Sequence, residues 1–517
     1  MKLYWAKDVR EADRIAIQEM GIPSLTLMEN AARSITKALL EEVPERLRGR
    51  VLVLCGKGNN GGDGMAVARM LKERGHSPEV VLLADPARLS GDASVQYERL
   101  GPAGVPWETL DGAQAVPALS QRLRSADLVL DALLGTGLGG PAAGLSAEVI
   151  RAVNESGAFV ASVDIPSGLS GDACAPPGEA IRAQLTLTLA LAKPPLFAPE
   201  SAPLCGKVRL LDIGIPPQAI SRLRPAGEAL DTAWARTFFQ PRRPQTHKGD
   251  AGRLLLVAGS LGKSGAAVLG ARGALRSGAG LVTVASPASA QPLVAAGLPE
   301  AMTLPLPETK AGTLSMDALT PILAFCDRVD AVGMGPGLGD LPETQALARE
   351  LYERIPLPCA VDADGLNAFQ GEPERLAHHA GARVLTPHPG EMGRLVGHAA
   401  DQVIAQRYGL APARAEAWQV ALLLKGYRTL VAAPGEPWRL NLSGGPHMAA
   451  PGFGDVLTGI VTALLARGLS PLDAASLGAW WHGAAADLAS ERLGGYGLLA
   501  SECADALPAV EGSLRTP

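Results

Sequence analysis

Residues 51–75 read VLVLCGKGNNGGDGMAVARMLKERG, and the fold is decided here. VLVLC (51–55) is a short apolar β-rich run, and MAVARMLKERG (65–75) has amphipathic helical spacing. CGKGNNGGDG (55–64) joins them, so the segment reads strand, turn, helix. A βα turn of this kind presents free backbone N–H groups and the positive end of a helix dipole to an anion. Its glycines and two asparagines are expected to take positive φ and let the backbone approach a ligand closely. The spacing is neither the usual dinucleotide G-x-G-x-x-G nor a Walker loop, which ends in Gly-Lys-Ser/Thr.

Working outward, similar runs alternate with amphipathic stretches almost throughout, as in parallel sheets with crossover helices. The first half has runs at 79–84, 126–134, 159–165, 185–191 and 207–213, with helical stretches near 8–20 and 24–42 before the first strand. The second half restarts at RLLLVAGS (253–260) and continues at 281–286, 328–335, 358–363, 382–387 and 420–426. Long helical patterns follow around 454–467 and 473–492. Between the halves, GIPPQAISRLRPAGEALD (214–231) breaks the strand pattern with three prolines and mixed charge. The expected organisation is two α/β domains, residues 1–222 and 228–513.

Composition agrees with this layout. The chain has 517 residues, 47% hydrophobic and 19% charged, which excludes intrinsic disorder. Gly and Pro reach about a fifth of the chain against a usual ~12%, without a period, so they mark many turns. Forty-seven basic against 52 acidic residues give a net charge of −5 and no electrostatic footprint for nucleic acid. The six scattered cysteines contain no C-x-x-C pair and read as reduced thiols of a cytoplasmic protein. Residues 278–299 carry no charge, but their prolines are expected to break them into a strand and a short helix, so no membrane span is expected.

Two further strand ends carry acids: LVLDALLGTGLGGP (128–141) ends on Asp131, and SVDIPSGL (162–169) on Asp164. Ligands of open α/β sheets sit beyond the carboxyl ends of strands, so the three loops converge on one crevice. In the second half, VGMGPGLGD (332–340) is a glycine-rich loop after a strand, and LTPHPGEMGRL (385–395) brings His388 and Glu391 to another strand end. AAPGFGDVLTGIVTALLARG (449–468) places Gly454 and Asp455 at the mouth of a helix. Backbone N–H groups there can stabilise charge on a transferring phosphoryl group while Asp455 takes a proton from the attacking hydroxyl. Each acid could instead simply cap its helix.

MENA (28–31), GNNGGDG (58–64), DALLGTGL (131–138) and VDIPSG (163–168) resemble the NAD(P)HX epimerase domain, a Rossmann-like αβα fold, across the whole first half. The resemblance implies interconversion of the R and S hydrates of NADH and NADPH. It implies that Asn59, Asn60, Gly61, Gly62 and Asp63, with Gly135, Thr136, Gly137, Leu138, Gly139, Gly140 and Pro141, cradle the phosphates and ribose. Asn60, Asp131 and Ser167 would hold a potassium ion, and Asp164 would contact the damaged nicotinamide as acid/base. An oxygen-lined loop with few full charges suits a monovalent cation better than zinc.

HKGDAGRLLLVAGS, GPGLG, DADGLN (362–367), TPHPGE (386–391), KG (425–426) and the GFGD helix resemble the ADP-dependent NAD(P)HX dehydratase domain, which is ribokinase-like, over about 240–510. This implies that Lys425, Gly426, Tyr427, Arg428 and Thr429, with Gly454, contact the AMP portion of ADP, used with Mg2+. Ala266, Gly337, His388 and Asp455 would surround the hydrated dinucleotide, with Asp455 catalytic. Where the family has GGTGD this chain has PGFGD: Pro451 removes a possible backbone donor and Phe453 replaces a threonine hydroxyl. The expected substrates are thus NADHX, NADPHX and ADP, and the resemblance implies a homo-oligomer. The alternatives are a ribokinase-like small-molecule kinase with a regulatory first domain, and a first domain that only binds.

Overall fold

The computed structural model describes residues 1–515 apart from 111 and 242. It divides into two compact units, residues 2–227 and the chain from Glu228 onward, to which Met1 also belongs.

In the first unit seven strands, β1 (Val51–Cys55), β2 (Pro78–Leu82), β3 (Trp107–Thr109), β4 (Leu128–Ala132), β5 (Val160–Val163), β6 (Leu185–Leu189) and β7 (Lys207–Leu211), form one sheet. The order is β3-β2-β1-β4-β5-β6-β7, with every neighbouring pair parallel. The pleat of β1 explains its unbroken apolar run. Val51, Val53 and Cys55 enter the core on one face of the sheet, Leu52 and Leu54 the core on the other. Chain direction across the sheet reverses between β1 and β4, so the loops after these two strands leave the carboxyl edge side by side. Helices α1 (Ala6–Arg14), α2 (Ser24–Glu42) and α3 (Asn59–Glu73) pack on this scaffold. The helical stretch expected near 8–20 ends in a π turn over Ile15–Glu19.

The second unit repeats the logic with β8 (Arg253–Val257), β9 (Leu281–Pro287), β10 (Met302–Leu306), β11 (Ala331–Met334), β12 (Cys359–Val361), β13 (Arg383–Leu385), β14 (Ala421–Leu424), β15 (Leu430–Ala432) and β16 (Trp438–Asn441). Along the sheet they run β16-β15-β14-β13-β12-β11-β8-β9-β10. Pairs from β14 to β10 are parallel, and β14-β15-β16 are antiparallel. The reversal falls between β8 and β11, whose loops carry SLGK (260–263) and GPGLG (335–339). Helices α4 (Ser264–Arg276) and α5 (Phe453–Ala466) cross so closely that a Cβ on Gly459 would lie 1.9 Å from the Gly270 carbonyl oxygen. The uncharged 278–299 stretch is β9 and a short helix, Gln291–Gly297. Among the described residues no helix is long and apolar enough to cross a membrane.

Candidate functional site

In the first unit a cavity of about 760 Å3 opens at the β1/β4 reversal. Its wall includes Asn59, Asn60, Asp63, Gly135, Thr136, Gly137, Asp164, Lys193 and Asp13. Gly56, Gly61 and Gly64 of the 55–64 turn are needed for a reason other than the expected one. None of Gly56, Gly58, Gly61, Gly62 or Gly64 has positive φ. A Cβ on Gly56 would stand 1.9 Å from the Leu133 carbonyl oxygen, on Gly61 1.9 Å from that of Gly56, and on Gly64 2.6 Å from the Ala132 Cβ. They let α3 begin directly against β4, so its first amides, which lack intrahelical acceptors, face the cavity. Asp131 is fully buried and accepts from Ser162 Oγ at 2.7 Å, Ser167 N at 2.9 Å and Ser167 Oγ at 2.5 Å. Burial raises its carboxyl, and the serine hydrogen bonds oppose that rise. Asn60 packs over Gly135, with its amide nitrogen buried and without a hydrogen-bond partner.

Asp164 sits just past β5 with φ of 67°, a left-handed conformation that costs a non-glycine residue energy. Its Oδ1 accepts from the Lys193 ammonium and from Leu189 N at 3.0 Å. Lys193 is fully buried and also reaches Thr188 Oγ1 at 3.1 Å and the Leu189 carbonyl at 3.0 Å. Burial pushes Asp63 well above the usual carboxylate range, with Asp164 and Asp13 adding to the shift.

In the second unit Asp455 lies in the first turn of α5, beside a buried charge cluster. Lys425, just past β14, donates to Asp362 Oδ1 at 2.7 Å and stands 3.6 Å from Glu391 Oε2. Thr458 of α5 donates to Asp362 Oδ2 at 2.9 Å, tying the helix to the end of β12. A Cβ on Gly454 would lie 3.3 Å from Lys425 Nζ, so only glycine leaves that side of the pair open. Burial, then the charge of Asp362, lifts the Asp455 carboxyl to about 6, with Lys425 opposing. Desolvation works against the Lys425 ammonium, yet its carboxylate neighbours hold it above its ordinary value. Lys263 reaches Asp364 at 3.3 Å, and Asp364 accepts the Gly339 amide at 2.8 Å. Ala363, between the two aspartates, has φ of 49°.

A family model described as YjeF-related protein N-terminus matches residues 24–195, and one described as NAD(P)H-hydrate dehydratase matches 254–509. A bifunctional NAD(P)H-hydrate repair enzyme Nnr from Moorella thermoacetica is 42% identical over 516 residues, covering 100% of this chain and 97% of the relative. The chain belongs to the bifunctional NAD(P)H-hydrate repair enzyme family. The family member from Thermofilum pendens is 38% identical with the same coverage, and that from Escherichia coli is 35% identical over 97% of this chain and 92% of its own. A crystal structure of ADP/ATP-dependent NAD(P)H-hydrate dehydratase from Bacillus subtilis aligns with 56% of this chain and 99% of that one, at 29% identity and TM-score 0.48.

Within this family framework the expected residues fall into groups. Asn59, Asn60, Asp63, Gly135, Thr136, Gly137 and Asp164 share the cavity wall; Gly61 and Gly62 lie behind it in α3, and Leu138 to Pro141 lie beyond the stretch that forms it. Ala266 and Gly337 abut, since a Cβ on Gly337 would lie 3.1 Å from the Ala266 Cβ. His388 caps the helix Pro389–Val396 through Nδ1, which accepts from Gly390 N at 3.0 Å and Glu391 N at 3.4 Å. With Nδ1 accepting in that cap, Nε2 is the ring's donor, and burial, then the charges of Lys425 and Arg394, lower the pKa of the ring. Tyr427 is half exposed, Thr429 Oγ1 donates to the Gly426 carbonyl at 3.0 Å, and the Arg428 guanidinium is turned onto the Leu442 carbonyl. With PGFGD in place of GGTGD, α5 starts at Phe453. Pro451 precedes the helix, and Phe453 is buried against the His482 ring with centroids 5.7 Å apart. Sequence reading gave no role to Asp13, Lys193, Lys263, Asp362, Asp364 or Thr458. Asp362 and Asp364 carried a readable signal, acids at a strand end, whereas Asp13 on an amphipathic helix carried none.

Proposed function

We propose that the first unit interconverts the R and S hydrates of NADH and NADPH and that the second dehydrates the S form, converting ADP to AMP and phosphate. The observation that carries the second half is the helix mouth, where Asp455, the free first amides of α5 and the Lys425–Asp362 pair meet beside Gly454. Hydroxide is a poor leaving group, so the C6 hydroxyl is first phosphorylated. Asp455 takes the hydroxyl proton as its oxygen attacks the terminal phosphorus, and the α5 amides with Lys425 hold the charge on the transferring oxygens. Phosphate then leaves C6 as a C5 proton departs, restoring the ring double bond. Among the described residues no group of three or more His, Cys, Asp or Glu side chains is placed to bind a metal. A magnesium ion accompanying ADP would neutralise charge on the nucleotide's phosphates.

In the first unit the α3 amides receive the pyrophosphate, and Asp164, held by Lys193, addresses the nicotinamide end. The donor set of Asn60, Asp131 and Ser167 fits potassium: one carboxylate, one hydroxyl and one amide, all oxygen-bearing. The unpartnered Asn60 amide position presents an oxygen once the amide is flipped. Potassium bound there would fix the loop after β4 against α3. The deciding experiment incubates the purified chain with mixed hydrates, ADP and magnesium and follows the absorbance of reduced nicotinamide. Full recovery of that absorbance with release of AMP and phosphate is expected, whereas accumulation of a stable phosphorylated product would instead favour a small-molecule kinase.

A further inference from the structure

We propose that Asp13 is the second carboxyl group of the epimerisation, protonating the departing C6 hydroxyl of one epimer and taking a proton when that epimer re-forms. The proposal rests on reading the first unit's cavity as the epimerase site. Asp13 lies on α1, and its side chain lines the same cavity as Asp164, Lys193, Asn60 and Thr136. Both arginines of its own helix are paired elsewhere: Arg10 donates to Asp172 at 3.0 Å, and Arg14 to Glu11 at 2.7 Å and Glu19 at 2.8 Å. The ammonium whose charge acts on it, Lys193, is committed to Asp164. Among the described residues no hydrogen bond or ion pair from the protein holds the Asp13 carboxyl, so it is left for whatever fills the cavity. Burial and the facing Asp164 push it up to about 6, against the pull of Lys193, so both protonation states are within reach near neutrality.

Asp164 cannot serve both faces of the ring. Its Oδ1 accepts from Lys193, the Leu189 amide and Thr188 Oγ1, which leaves Oδ2. Two carboxyl groups suffice. In one direction the C6–O bond breaks with its electron pair passing to oxygen, which takes the Asp13 proton and leaves as water, while the ring nitrogen's lone pair forms C6=N1. Water then adds to the opposite face of C6, the C=N π pair returns to nitrogen, and Asp164 Oδ2 takes the proton released. The reverse direction exchanges the two roles. One proton returns from Asp164 to Asp13 through solvent between turnovers, and no other reactant is consumed.

The test uses the full chain with each purified hydrate, reading R-to-S conversion by chromatography. Asp13→Asn is expected to lower kcat for conversion by about 10²–10⁴-fold while KM stays within about threefold. The wild-type profile of kcat/KM is expected to fall above a pH of about 6, a limb that the Asn variant lacks. The groups facing Asp13 are Asp164, Asp63, Lys193 and Arg10, all retained in the variant. Dehydration of the S hydrate with ADP in the same sample should be unchanged. Conversion within about threefold of wild type, or a loss carried by KM with the pH limb intact, overturns the proposal. Should the Asn variant lose the fold of the first unit, Asp13→Glu decides: slowed turnover with a displaced limb supports the proposal, and a wild-type profile overturns it. If wild-type protein leaves the R hydrate at its spontaneous rate, the epimerase reading itself fails, an outcome visible before any variant is made.

Discussion

In the proposed mechanism Asp455, a residue of the first turn of α5, is also the base. Burial beside Asp362 lifts it to about 6, and a base works only when ionised. Dehydratase kcat/KM should therefore rise by about tenfold per pH unit below that value and level off above it, measurable from a pH–rate profile. Asp455→Asn should cut dehydration by about 10²–10⁴-fold and leave R-to-S conversion intact, as read by paired assays on one preparation. Asp362→Asn removes a negative neighbour of Asp455, so the limb of the profile should move to lower pH. The same change leaves the Lys425 ammonium and Thr458 with a poorer partner. It should cost about 1.5–3 kcal/mol of stability in the second unit, detectable by urea denaturation of the full chain. At this scale the sequence exposed Asp131, Asp164 and Asp455, because each ends a strand or starts a helix within a recognisable motif. It concealed Asp13 and the Lys193 partnership, because nothing local marks a side chain whose partner lies 29 residues away.

Among the elements, the glycines matter for contact more than for conformation. Gly270, Gly273 and Gly459 bring α4 and α5 into backbone contact; a Cβ on Gly273 would lie 2.5 Å from the Val456 carbonyl oxygen. Gly459→Ala must push these helices apart. We expect a loss of about 1–3 kcal/mol in thermal or urea unfolding, with reduced dehydration because Asp455 rides on α5. The buried central strands were readable from the sequence, since strands covered on both faces become continuous apolar runs. The β10 edge, MTLPL, is largely open to solvent, β15 is only the three residues LVA, and β16 carries Arg439 and Asn441, so their runs are too short or too broken to stand out. The antiparallel end of the second sheet was therefore not anticipated.

For the whole molecule, two separate sites imply that their reactions connect through free substrate. Asp164→Asn alone should stop at the S share of a mixed hydrate pool over the spontaneous rate, and Asp455→Asn alone should yield no reduced nicotinamide. Mixing the two variants should restore complete recovery, followed by absorbance; failure to complement with both variants folded would contradict the two-site arrangement. Removing potassium should slow conversion and spare dehydration, and indifference to the monovalent cation supplied would remove Asn60, Asp131 and Ser167 from that role. The sequence by itself determined the two α/β units, the central strands, the loops at their carboxyl ends and the family motifs. All of these are local: hydrophobic period, turn chemistry and residues adjacent in the chain. Only the tertiary structure decided which charges face one another: Lys193 against Asp164, Lys425 between Asp362 and Glu391, and Asp13 in a cavity with no protein partner. Strand order brings those groups together from distant segments, and no local pattern in the chain encodes a distance across a sheet.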